Sequence, residues 1–159
     1  MSLSLSQKNK KNSLIYFTTS NGSLFESSIE LWKVSNYVNE IVKENEENTS
    51  ISIQLPHISL EYLIKVEEFL NIHSINSSNW LEIEKPIHSL DVYEIVPPVY
   101  AVYIDRMTVE EVKILITIAD FLDIKPLIDL ASIKIAILLK PLYETGDKNN
   151  IRRTLGIYL

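Results

Sequence analysis

The side chains able to do chemistry are few and poorly spaced for it. Histidines fall at His57, His73 and His88, with no His-x-His or His-Glu-x-x-His pair to hold a metal. Each reads as a lone surface histidine on a loop. Asp120 and Asp123 stand one helical turn apart, the spacing of paired carboxylates for acid–base work. Asp123 fits better as the cap of a following helix, and Asp120 as the polar edge of an interface. The acidic run over residues 43–50 lacks the alternating oxygen ligands and turn glycine of a calcium loop, so it reads as solvated. With no cysteine, disulfides, thiolate zinc sites and thiol catalysis are excluded. There is no glycine-rich phosphate loop and no nucleophile elbow. The expectation is a non-enzyme with no catalytic residue, no metal and no cofactor.

The informative chemistry is apolar. Val112, Leu115, Ile116, Ala119 and Leu122 recur at helical spacing and make one core-facing stripe. Ile114, Ile118 and Phe121 make a second stripe beside it. After Asp123, with Pro126 suited to a first turn, a second helix places Leu127, Leu130, Ala131 and Leu138 on one side. Ile133, Ile137 and Leu139 lie off that side. A surface helix needs one apolar stripe of a little over 100°. Surplus apolar surface on two adjoining helices means burial on every side or a docking face for another protein.

The run Ala119-Asp120-Phe121-Leu122-Asp123-Ile124-Lys125-Pro126-Leu127-Ile128-Asp129-Leu130 resembles the Ala-Asn-Tyr-Leu-Asp-Ile-Lys-Gly-Leu-Leu-Asp-Val signature of the SKP family, the S-phase-kinase-associated adaptors of SCF ubiquitin ligases. Ile151-Arg152-Arg153-Thr154-Leu155-Gly156-Ile157 is similar to the family's Ile-Arg-Lys-Thr-Phe-Asn-Ile. The two blocks stand in the family's order and at nearly its distance. The resemblance covers roughly residues 13–157, by pattern more than identity in the N-terminal half. It implies an α+β fold: a BTB/POZ-like core, a small sheet with helices, followed by C-terminal SKP-type helices.

Composition agrees with such a chain. Among 159 residues 46% are hydrophobic and three are glycine, enough for a real core. A net charge of −6 argues against a nucleic-acid partner, and no run of about 18 apolar residues calls for a membrane. The N-terminus lacks the basic start and long apolar run of a secretory signal. A cytoplasmic or nuclear location is expected.

In chain order, residues 1–12 read as a disordered tail, 13–73 as the BTB/POZ-like part, 74–98 as a variable linker or insertion, and 99–159 as the C-terminal helical region. Residues 14–18 are a strand, 20–23 a hairpin turn with Asn21-Gly22, and 24–26 the return strand. A helix over 28–42 follows, with Leu31, Val34, Val38 and Ile41 on one face and Trp32 and Tyr37 flanking it. Residues 51–55 form a third strand ended by Pro56. Ser59 caps a helix through about Asn71, with Leu60, Leu63, Ile64 and Phe69 inward. The insertion is more apolar than the family's, with Trp80, Leu81, Ile83 and Ile87. Residues 99–104 form a short helix or arm, Thr108 caps the central helix, 140–149 are a loop, and a last helix over 150–155 ends at Gly156.

The resemblance implies an adaptor joining a cullin to F-box receptors. The central helix would contact the cullin through Ile118, Asp120 and Phe121, of which Asp120 and Phe121 stand at the family's Asn-Tyr pair. Phe121 is the expected aromatic anchor, its alternative being a core position between the helices. The F-box contact is expected at Leu130, Ile133, Ile137, Leu138, Ile151, Leu155 and Ile157, some of them with intramolecular packing instead. Self-association as a homodimer is a further expectation. Three departures mark a divergent member: the sequence stops at Leu159 where the family continues with an acidic, Trp-containing helix, the family's Thr-Pro-Glu-Glu reads Asp147-Lys148-Asn149-Asn150, and Asn-Tyr has become Asp120-Phe121. The alternatives are an elongin-C-like adaptor, which would end near Leu122-Asp123, and a self-associating BTB protein with a structural role.

Overall fold

The computed structural model describes residues 14–46, 50–80, 83 and 86–156. The expected tail 1–12, Leu81 and the candidate contact Ile157 lie outside the described residues. The chain divides into two compact units, one ending at Lys65 and one beginning at Val66.

The first unit holds a three-stranded sheet in the order β2-β1-β3. β1 (Leu14–Thr18) pairs antiparallel with β2 (Leu24–Ser28) and parallel with β3 (Ser50–Gln54). Register follows the apolar alternation. Ile15 faces Ile51 and Phe17 faces Ile53 across the parallel pair, and all four are buried. The turn forms around Asn21, whose Oδ1 accepts from the Thr19 hydroxyl at 2.7 Å and the Ser23 N–H at 3.2 Å. Gly22 supplies the positive φ of +81° that this turn requires.

The single helix expected over 28–42 is two: α1 (Ile29–Trp32) and α2 (Asn36–Glu44). Ser35 makes the break. Its N–H donates to the Trp32 carbonyl and its Oγ accepts from the Val38 N–H at 3.1 Å, starting a new helix. Trp32, expected to flank the helix, is fully buried. Its ring lies 4.6 Å from that of Phe17, and its Nε1 donates to Ser27 Oγ at 3.0 Å. Of the four positions expected inward, only Val38 is buried.

α3 (Leu60–Asn76) outruns its expected end at Asn71, since no glycine or proline stops it. Leu63, Val66, Phe69 and Leu70 are buried, and Ile64, expected inward, is exposed. His73 therefore sits on a helix, and it is buried rather than at the surface. Its Nδ1 lies 2.8 Å from the Tyr100 hydroxyl, and its ring stacks 5.5 Å from Phe69. Trp80 meets the Tyr100 ring edge-on at 4.6 Å, so the start of the insertion is anchored on the same aromatic cluster. Burial lowers the His73 pKa and raises that of Tyr100, because both charged forms lose water.

The described remainder of the second unit is mostly helical. After a 3₁₀ turn (Ser77–Asn79) come α4 (Val92–Ile95), α5 (Pro98–Asp105), α6 (Val109–Phe121), α7 (Lys125–Glu144) and α8 (Lys148–Leu155). α7 packs on α4, α5, α6 and α8. Thr108 caps α6 as expected, in a box where Glu111 accepts from the Thr108 N–H at 3.1 Å while Thr108 Oγ1 accepts from the Glu111 N–H. The loop expected over 140–149 is largely helix. α7 runs through Pro141, which has no N–H to give the helix, and ends at Glu144 before a turn at Gly146 (φ +70°), where the Asp147 N–H reaches back to the Leu142 carbonyl. Asp147 then caps α8 through the Asn150 N–H at 3.0 Å, and Gly156 closes that helix at φ +69°, as its type predicts.

Candidate functional site

The corner between α6 and α7 sets the site's geometry. Asp123 does not cap α7. It holds a left-handed conformation (φ +50°) just past the end of α6. Its N–H donates to the Asp120 carbonyl at 3.1 Å and the Ile124 N–H to the Ala119 carbonyl at 3.0 Å, the paired closing bonds of a Schellman motif. Ala119 and Ile124 are both fully buried. Ile124 becomes the N-cap of α7 without a side-chain cap bond, and Pro126 takes its place in the first turn. Aspartate tolerates a left-handed φ better than most residues, so the same residue type served the other side of the corner.

α6 buries Val112, Leu115, Ala119 and Leu122 completely, while Ile116 is only partly covered. The second stripe divides. Ile118 is 7% exposed, whereas Ile114 and Phe121 are 45% and 49% exposed. With Glu110 and Thr117, which are also exposed, they line one ridge of the helix at spacings of three and four. Asp120 is exposed beside Phe121. The structure thus places Asp120 and Phe121 together at the surface, with Ile118 beneath.

α7 changes character along its length. Leu127, Leu130 and Ala131 are fully buried and Ile133 is 4% exposed. From Lys134 to Lys140 every residue is partly exposed, including Ile135, Ala136, Ile137, Leu138 and Leu139. Five successive residues at 100° each point all round a helix, so this stretch is apolar on every side and fully covered on none. Ile151 and Leu155 of α8, one turn apart, are half-buried as well. Of the seven residues expected to meet an F-box, Leu130 lies in the chain's own core and Ile133 nearly so. Ile137, Leu138, Ile151 and Leu155 are brought to the half-covered end of α7 and α8, and Ile157 lies outside the described residues.

The insertion reaches α7. Ile83, Pro86 and Ile87 share a cavity of about 490 Å³ with Lys125, Asp129, Ser132, Ile133 and Ala136. Lys140 Nζ donates to the Ile87 carbonyl at 3.2 Å. Elsewhere in this unit the Arg106 guanidinium pairs with Glu68 over the Tyr103 ring. That hydrogen bond raises the Arg106 pKa, and burial, aided by Glu68, pushes the Tyr103 hydroxyl well above the ordinary phenol range. One functional candidate had no signal in the sequence: Lys113 of α6, whose Nζ lies 3.2 Å from the Thr154 carbonyl of α8 across a separation of 41 residues. Among the described residues no group of three or more His, Cys, Asp or Glu could hold a metal, and no helix is long and apolar enough to cross a membrane.

No family model matches the chain. It is, however, 34% identical over 134 residues to the S-phase kinase-associated protein 1 homolog of Tetrahymena thermophila, an alignment that takes in 84% of this chain and 76% of that protein. With that identity over most of both chains, on an α+β fold of a small sheet followed by helices, the chain belongs to the S-phase-kinase-associated protein (SKP) family as a divergent member.

Proposed function

We propose that this chain bridges a cullin scaffold to F-box substrate receptors, in the cytoplasm or nucleus. At the family level it is an adaptor of SCF ubiquitin ligases and not an enzyme. The observation that carries the finer reading is the far end of α7, where residues 135–139 are apolar all round the helix and none is buried. Such a surface favours a protein partner that completes its burial. Ile137, Leu138, Ile151 and Leu155 form the receptor side of the proposal, with Leu130 and Ile133 supporting them from within. Asp120 and Phe121 form the cullin side, where a half-exposed aromatic on a rigid helix suits an anchor. Residues 13–73 would be the BTB/POZ-like part, 74–98 its variable insertion and 99–159 the receptor-binding region. Each interface would bury about 1,600 Å² and fix the distance between substrate and ubiquitin-transfer machinery.

The test is affinity purification of the tagged full chain from its own cells, beside Phe121→Ala. The wild type should recover a cullin and F-box proteins. The variant should lose the cullin by tenfold or more (roughly, for an aromatic anchor) and keep the F-box proteins. Recovery of the chain alone, or of neither partner class, overturns the proposal.

A further inference from the structure

α8 has little of its own to hold it in place. It is eight residues long, below the length at which a helix is stable alone, and its apolar contribution is Ile151 and Leu155. Its start is fixed by the Asp147 cap immediately after α7. Its end is closed by Gly156 and is also met by a residue 41 positions before Thr154. The Thr154 carbonyl is among the last four of the helix, which have no intrahelical donor. Lys113 Nζ supplies one at 3.2 Å, and a cation there also meets the negative end of the helix dipole.

Two further observations show that the ammonium is seated and not merely passing. A Cβ built on Gly156 would lie 3.5 Å from Lys113 Nζ, so the lysine tip rests against the turn that closes α8. Nζ is also 2.9 Å from Glu110 Oε1, and the Lys113 side chain is 23% exposed against 76% for Glu110. The ammonium therefore spans from the first turn of α6 to the last turn of α8. Its carboxylate partner faces solvent and leaves donors for the carbonyl.

We propose that Lys113 is a positioning residue that fixes α8, and with it Ile151 and Leu155, for the receptor contact. This rests on the adaptor reading above, and it adds a residue that makes no partner contact itself. Loss of the ammonium frees the C-terminal end of α8 while the Asp147 cap keeps its start, so the two apolar side chains lose their fixed spacing from Ile137 and Leu138.

The experiment compares full-length wild type, Lys113→Met and Lys113→Arg. Methionine keeps most of the apolar stem and removes charge and donors. Arginine keeps both. Hydrogen exchange over residues 148–155 reads the position of α8 in the free chain, and titration with a purified F-box domain reads the partner contact. Lys113→Met should speed exchange in α8 by about two- to fivefold, leave the amides of α3 unchanged, and weaken F-box binding by a similar factor. Lys113→Arg should restore both. Unchanged α8 exchange in Lys113→Met overturns the proposal, as does a loosened α8 with unchanged F-box binding. If the wild type binds no F-box domain, the adaptor reading falls and takes the positioning role with it. If the wild type binds and the methionine variant binds equally, only the role of Lys113 falls.

Discussion

The two halves of α7 carry the same kind of sequence and meet different fates. The first half, with Leu127, Leu130, Ala131 and Ile133, is buried by its neighbours. The second half, from Lys134 to Lys140, is as apolar and yet no residue in it is buried. Side-chain type does not separate them. What separates them is how much protein lies around each turn. The corner closed by Asp123 and Ile124 leads straight into the buried half. The far half leads to a short α8, which packs on α7. Ile133 in the first half is therefore a matter of stability, whereas Ile137 in the second half keeps surface that a partner could cover.

The largest effect should come from truncation in the buried half. Leu130→Ala should destabilise the chain by about 2–5 kcal/mol, lost transfer energy plus the cavity left behind. Thermal unfolding followed by circular dichroism measures it. A loss below about 1 kcal/mol would show that Leu130 does not belong to the closed half and would break the comparison. Next comes Ile137→Asp in the far half. Stability should change by no more than about 1 kcal/mol, since the side chain is already part-solvated. Binding to a purified F-box domain should weaken by about thirtyfold, equivalent to ~2 kcal/mol. A variant that unfolds but binds normally when folded would reverse the assignment of the two halves.

The smallest effect sharpens the contrast through pH. His73 is buried against Phe69 and Tyr100, and that burial lowers its pKa from the ordinary value of 6.5. Below that value the unfolded chain takes up a proton that the folded chain resists. Stability should thus be full above about pH 6.5, decline as the pH falls through it, and level off below the folded pKa. Urea midpoints measured between about pH 5 and 8 would show the decline, and His73→Phe should flatten that part of the profile. A wild-type midpoint that holds steady or rises as the pH falls would show that the aromatic cluster does not exclude the charged ring.

Much of the architecture was legible because it depends on neighbours in sequence. Residues 14–18 are a strand by their β-branched and aromatic content, Asn21-Gly22 makes the turn, Thr108 starts α6, and Gly156 ends α8. The errors share a cause. Asp123 can serve either as a cap or in a left-handed turn, and the closing bonds from Asp123 and Ile124 decide for the turn. Pro141 signals a helix end, yet three further residues of α7 follow it before the turn that closes at Gly146. His73 read as a surface loop residue until Tyr100, 27 positions away, arrived beside it.

The sequence by itself determined the identities that matter: an apolar excess on two adjoining helices, a signature shared with the SKP family, and, with no cysteine, the absence of thiol chemistry. Only the tertiary structure decided which apolar residues are spent on the chain itself. Leu130 and Ile137 lie seven apart, two turns along one helix, and carry similar side chains, yet the first is fully buried and the second is not. Burial belongs to the packing around a residue and not to the residue, so periodicity can name a face but cannot say how far a neighbouring helix covers it. Lys113 makes the same point for polar groups, since its reach to Thr154 depends on where the chain brings α8 back beside α6.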